Sequence, residues 1–386
     1  LKSRSSIPGR EPVRQNRNGR RTPWIWAVGA VGFAVLAFIT WDLFTYGKYI
    51  DAFSGATPRA LRHDPPRGIS LEVGGRVEKP WRVTTRSLRL LAPVRIRTRE
   101  VSPAGEILGA YIHTGVPVIH VLAGVDPKPP ADEPDDRPLD LMVLFSNRDG
   151  ESRLFTYGEL VLVDDTLPVT LAWKREPLVP ERGAENYKRN RLGDELSGLR
   201  LICPGEMDTA RYLDDVVRMT LVEAEFSRQR LPPVRKHFAC RSHKVLCLVP
   251  GHSREALMHG FPRLERSGWF RIGHGLGIRA DRLADVSGIS MRLFLKRYFT
   301  DCRAGDFFLV CGCDGYRVML SGREIFANPR GERFLLMDTV DGAPLENGIM
   351  LGAFGDFFID RCVRGVSHIM KLDGDEMRGK LTEDAY

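Results

Sequence analysis

Seven cysteines occur in the chain, yet no two form a Cys-x-x-Cys pair and there is no Cys-x-x-Cys-His, so no c-type haem attachment is written here. Gly-x-Ser-x-Gly, His-Glu-x-x-His and Walker sequences are also missing, which removes the common signatures of serine hydrolases, zinc proteases and nucleotide-binding loops. Charge is scarce where a nucleic-acid reader would need it. Of the formal +8, residues 1–22 hold +6, from Lys2, Arg4, Arg10, Arg14, Arg17, Arg20 and Arg21 against Glu11, so the other 364 residues carry only +2. No cluster of Lys and Arg interleaved with aromatics appears in that larger part, which excludes a nucleic-acid-binding stripe.

Disorder is excluded by composition, because 43% hydrophobic and 27% charged residues describe a chain able to bury a core. Its length of 386 residues suggests two domains with appendages. Residues 24–41 read WIWAVGAVGFAVLAFITW, without a charge, and Leu43, Phe44 and Tyr46 prolong the stretch past Asp42. A helix of about 20 residues spans the hydrocarbon core. Trp24, Trp26, Trp41 and Tyr46 stand at its two ends, where amphipathic rings prefer the interface. A cleaved signal peptide is the rival reading, with small residues at Ser54, Gly55 and Ala56, but the apolar region exceeds the usual length of about 7–15 residues. The expectation is an uncleaved anchor over 23–46 in a cell inner membrane. The Arg-rich tail, 1–22, then lies in the cytoplasm and the bulk of the chain in the periplasm. There the odd cysteine count leaves one thiol over or one intermolecular bond.

After a connector at 47–68, Gly and Pro recur about every ten residues and the apolar runs are short, which predicts a β-rich α+β fold. Residues 126–138, an acidic Pro-rich stretch, and residues 180–197 read as polar insertions. An internal repeat emerges when the halves are aligned. Asp149-Gly150 matches Asp314-Gly315, each with a glutamate ten residues after the Asp, Glu159 and Glu324. Gly115-Val116-Pro117-Val118 and Leu122 match Gly288-Ile289-Ser290-Met291 and Leu295; Pro177-Leu178 matches Pro344-Leu345; Gly198 to Ile202 matches Gly348 to Gly352. The spacing predicts a strand–Asp-Gly–strand hairpin and a polar-headed turn, used twice.

These residues resemble the molybdopterin-binding domain of the sulfite oxidase family. In the first half the likeness is carried by LEVGGRVEKPWRVTTRSLRLL, GVPVIHVLAGV and LRLICPGEMDTARYLDDVVRMTLVE. In the second it is carried by SGISMRLFLKRY, CDGYRVMLSGREI and IMLGAFGDFFIDRCVRGVSHIMKL. It implies two tandem domains, 69–225 and 226–372, before a tail at 373–386. It also implies that an active member would hold molybdenum through a pterin dithiolene and one cysteine thiolate placed just before the Gly-Val-Pro-Val element. Residues 93–113 and 269–286 occupy that place, and neither stretch contains a cysteine.

The cysteines present are elsewhere. Cys311 and Cys313 are expected on one strand, facing one side as small buried hydrophobes, and Cys203 and Cys362 read the same way. His237, Cys240, His243 and Cys247, with His252, have ligand-like spacing for zinc, although they match no established finger pattern and also suit a linker feeding a strand. Gly273 to Gly277 reads as a turn, and Arg95, Arg97 and Arg99 alternate along one strand face, as an anion contact or a solvated edge would. The reading is a non-catalytic, membrane-anchored scaffold subunit with no catalytic residue, metal or cofactor. Its expected partners are other subunits of an electron-transfer or energy-converting membrane complex, met through the anchor helix and exposed loops in a hetero-oligomer. The alternative is a membrane-anchored molybdenum–pterin oxidoreductase with an atypical site.

Overall fold

A computed structural model describes residues 64–128, 138–163, 167–178, 194–224, 231–233, 244–249, 252–256, 258–270, 282–299, 301–328, 331–356 and 359–383. The basic tail and the expected anchor lie outside these residues, and no helix among the described residues is long and apolar enough to cross a membrane.

The first half is built from β1 (Ser70–Gly75), β2 (Trp81–Thr84), β3 (Val94–Val101), β4 (Ile107–Pro117), β5 (Leu141–Asn147), β6 (Ser152–Thr156), β7 (Thr170–Pro177), β8 (Asp194–Ile202) and β9 (Leu213–Glu223). Short helices α1 (Thr85–Leu88), α2 (Val118–Leu122) and α3 (Tyr157–Val161) punctuate it. The second half supplies β10 (Val245–Val249), β11 (His252–Ala256), β12 (Leu264–Phe270), β13 (Arg282–Ser290), β14 (Phe307–Gly312), β15 (Arg317–Ser321), β16 (Phe334–Val340), β17 (Ala343–Pro344), β18 (Met350–Ala353) and β19 (Val366–Leu372). It also has helices α4 (Met291–Tyr298) and α5 (Gly374–Glu383). The chain is therefore a β-rich α+β protein.

The repeat read from the sequence is a repeat of strand pairing. The antiparallel pair β1–β2, the parallel pair β1–β9 and the antiparallel pairs β3–β4, β4–β7, β5–β6, β5–β9 and β7–β8 recur as β10–β11, β10–β19, β12–β13, β13–β16, β14–β15, β14–β19 and β16–β18. Both Asp-Gly hairpins form. Asn147 Oδ1 accepts from the Asp149 and Glu151 amides, Asp314 Oδ1 accepts from the Tyr316 amide, and Gly150 and Gly315 take φ of 83° and 89°, where side chains are disfavoured. Gly115 and Gly288 match for a different reason. A Cβ on Gly115 would lie 2.3 Å from the Leu171 carbonyl oxygen, and one on Gly288 2.4 Å from that of Leu336, so each lets its strand bulge against its neighbour.

One proposed mark fails. Pro177 ends β7 opposite Tyr111, whereas Pro344 lies on β17, folded back on Thr339, because the second half turns sooner after β16. The final residues carry α5, whose Met377 and Leu381 are buried.

Alternation explains how the halves join. In β5, Leu141, Val143 and Phe145 enter the first half's core, while Met142 and Leu144 turn the other way. In β14, Phe308 and Val310 enter the second core, while Phe307, Leu309 and Cys311 turn outward. The outward sets belong to one shared apolar cluster, so residues 64–386 divide no further into separate units.

Candidate functional site

The glutamates marked by the sequence lie where the repeats meet. Each caps its own turn: Thr156 and Glu159 exchange backbone-to-side-chain hydrogen bonds, as do Ser321 and Glu324. Each also receives a buried arginine. Arg211 donates to the two Glu159 oxygens at 2.8 and 3.0 Å, and Arg361 donates to those of Glu324 at the same two distances. The same guanidiniums hold a second acid, Glu206 at 2.5 Å from Arg211 Nε and Asp356 at 2.6 Å from Arg361 Nε. The two triads are equivalent, since Leu201 pairs with Leu213 as Leu351 bridges Val363.

The repeats cross-link through these triads. Ser321 donates to Glu159 at 2.9 Å and Arg323 reaches Glu206 and Asp208, while within the second repeat Arg333 adds to Glu324 at 2.7 Å. The Met207 amide meets the Ala327 carbonyl while Val163 bridges Asp356. Such reciprocal contacts belong to a self-complementary interface. Burial pushes Glu159 up despite Arg211, and the nearby Glu324 adds to the rise. Burial also acts to raise Glu324, but Arg361 and Arg333 outweigh it and hold that carboxyl below its ordinary range. With Arg361 and Glu324 at 0% and 3% side-chain exposure, these charges answer one another and present nothing to a substrate.

A second buried set lies in the first repeat alone. His113 Nε2 is 2.9 Å from Glu100 Oε1, and Arg200 donates to the other Glu100 oxygen at 3.2 Å while its guanidinium stands 5.6 Å from the Tyr212 ring centroid. Burial acts to raise Glu100, but the His113 bond and the Arg200 charge lower it overall. By strand register, Gly115, Ala172 and Arg200 correspond to Gly288, Met337 and Met350, which places Val286 where His113 would be. Val286, Met337 and Met350 share an apolar cluster.

Of the sequence-nominated residues, His237, Cys240, His243 and Gly273 to Gly277 lie outside the described residues. Cys247 is buried on β10, where burial pushes its thiol up to about 12, and His252 is exposed at the start of β11. Among the described residues no group of three or more His, Cys, Asp or Glu is placed to hold a metal ion. The expectation for Cys311 and Cys313 needs correction. Cys311 is buried on β14, but the register shifts after it and the strand ends at Gly312, so Cys313 falls in the turn and is disulfide-bonded. Cys203, Cys247, Cys302, Cys311 and Cys362 remain thiols. Cys203 is driven far up by burial and by Glu206, and its thiol donates to the Arg211 carbonyl at 3.9 Å.

Arg95, Arg97 and Arg99 lie on the sheet's edge strand, Arg95 paired with Glu176 at 3.1 Å and the other two exposed. A cavity of about 450 Å³ opens beside β1, β2 and β9, where Arg82 and Arg218 both approach Glu72. Sequence reasoning missed Arg211, Arg361 and the Glu100–His113–Arg200 set, because the pairs Glu100–Arg200, Glu159–Arg211 and Glu324–Arg361 span 100, 52 and 37 residues of chain.

The residues present do not fit a molybdenum–pterin group. In the stretch that would supply its thiolate, the first repeat buries Glu100 and His113 and the second buries Ala284 and Val286. Compared with known proteins, the sequence matches no family model and no curated protein. Among solved structures, the sulfane dehydrogenase SoxCD of Paracoccus pantotrophus is similar at 14% identity over 77% of this chain and 78% of that one, with a TM-score of 0.29. At that score the reading of function rests on this chain's own residues.

Proposed function

We propose that the protein is a non-catalytic accessory subunit, anchored in the inner membrane by residues 23–46, with its two repeats on the periplasmic side as degenerate sulfite-oxidase-like domains. Its partners would be subunits of a larger electron-transfer or energy-converting membrane complex. One observation carries this reading. Where the resemblance reserves a soft thiolate, one repeat buries a closed ion set and the other an apolar cluster, and neither is a ligand set for such a metal. Fold likeness without the site supports no activity. A large rigid body held beside its partners by a tether suits a scaffold, because tethering raises effective concentration.

The test is extraction in mild detergent, native electrophoresis, and mass spectrometry with metal analysis of the excised band. A hetero-oligomer with substoichiometric molybdenum is expected. A lone monomer carrying stoichiometric molybdenum would overturn the reading and return the chain to the oxidoreductases.

A further inference from the structure

Four of the six exposed large hydrophobic residues among the described residues lie at or near the turn end of the β3–β4 hairpin: Ile107, Leu108, Leu178 and Met207, at 77%, 50%, 39% and 50% exposure. The backbone brings them together. The Ser102 amide closes the tip on the Glu106 carbonyl, the Leu178 amide donates to the Ala110 carbonyl, and the Thr209 amide donates to the Val101 carbonyl, each at 2.8 Å. The tip protrudes as an aliphatic knob, and Pro103, Ala104 and Gly105 are exposed on it. Behind it on the edge strand stand Arg97 and Arg99, both exposed and without an ion-pair partner among the described residues.

We propose that this tip docks into the anionic surface of the bilayer that holds the chain's own apolar segment, a proposal that rests on the anchor reading above. Depth is the first argument. Arg99 pairs in register with Ala110, three residues behind Ile107, so at about 3.3 Å per residue its head lies roughly 10 Å back from the apolar end. Interfacial elements sink their apolar side about 5–10 Å, which sets Arg99 at the level of lipid phosphates, with Arg97, paired with Ile112, about 16 Å back and on the aqueous side of them.

Reach is the second argument. Seventeen residues, 47–63, separate the apolar segment from the described fold, enough for about 60 Å when extended. With that tether a weak contact is sufficient. Composition is the third: protein interfaces centre on Trp, Tyr and Arg set in pockets, whereas this surface is convex and aliphatic with cations at its back. Glu106 is the acid of the 102–106 turn and opposes the contact, whereas Asp208, beside Met207, is paired with Arg323.

Hydrogen exchange of the full chain, reconstituted alone in phosphatidylcholine nanodiscs with and without phosphatidylglycerol, tests the proposal. Residues 102–108 should exchange at least about threefold more slowly when the anionic lipid is present, an effect weakened by salt. Ile107→Ser with Leu108→Ser should abolish the slowing, Arg97→Gln with Arg99→Gln should remove its dependence on anionic lipid, and Glu106→Gln should enlarge it. Protection of residues 24–41 with equal exchange at 102–108 in both discs would overturn the docking and leave the anchor standing. Protection at 102–108 only in the natively extracted complex would assign the tip to a protein partner and also overturn it. Unprotected residues 24–41 would instead refute the anchor.

Discussion

Where the first repeat sets His113 and Arg200 around Glu100, the second sets Val286 and Met350 in the same register, with Met337 in the place of Ala172. Tyr212, beside Arg200, corresponds by position to Cys362, which packs on the apolar cluster. The sheets differ as well. The nine-residue β8 pairs with both β7 and β9 and makes one nine-stranded sheet, whereas the four-residue β18 pairs with β16 and touches the next segment through a single bridge, leaving two five-stranded sheets. Pairing order, bulges and two crowded glycines are common to both repeats, so they set the architecture. The chemistry buried between strands is free to change. A buried ion set costs desolvation that its attractions roughly repay, and an apolar set of similar volume can replace it.

The comparison breaks most severely at the junction the repeats share. Arg361→Ala should destabilise by about 3–5 kcal/mol, since it strands the buried Asp356 and leaves Glu324 with Arg333 alone. Arg211→Ala should cost a similar amount if the triads are equivalent, and urea unfolding of both variants measures it. Unequal losses would show that one repeat carries the junction.

The polar trio sharpens the comparison. Arg200→Met alone should cost about 3 kcal/mol by leaving the Glu100 charge without its cation, yet the combination Glu100→Leu, His113→Val and Arg200→Met should return to within about 1 kcal/mol of the parent. The pH dependence has a definite sign. Glu100 sits below its unfolded value, so its contribution is present above about pH 4.3 and is lost as pH falls through the folded value. The triple variant should therefore lose less stability than the parent between about pH 5 and 3, read by circular dichroism melts. Gly115→Ala and Gly288→Ala should each cost about 1–3 kcal/mol, because the methyl meets backbone rather than a movable side chain. At the small end, Arg82→Ala in the first hairpin and Lys244→Ala in the corresponding second one should each change stability by under about 0.5 kcal/mol, since both ion pairs are exposed.

Much of this pairing scheme was legible in the sequence because hairpins and bulges depend on residues adjacent in the chain. Asp-Gly turns, the glycines before α2 and α4, and the capping glutamates announce themselves at fixed spacing. The β17 turn was misread because Pro-Leu occurs in both halves on strands with different partners. The arginine triads leave a faint local trace, an acid five residues before each arginine at Glu206 and Asp356, but the capping glutamates lie 52 and 37 residues away and only tertiary pairing selects them. Cys313 was misassigned because alternation was carried one residue beyond the strand's end.

The Glu159 carboxylate accepts from the Thr156 amide that opens its own helical turn and also from Ser321 in the other repeat. Secondary structure and docking thus draw on the same carboxylate. When the repeats part, α3 keeps its cap only by rehydrating Glu159 and Arg211 together, so local fraying and separation are one event. A protease meeting the native chain should accordingly find no long-lived half-molecule; cleavage between the repeats would yield two chains that remain associated until both lose their folds at the same temperature.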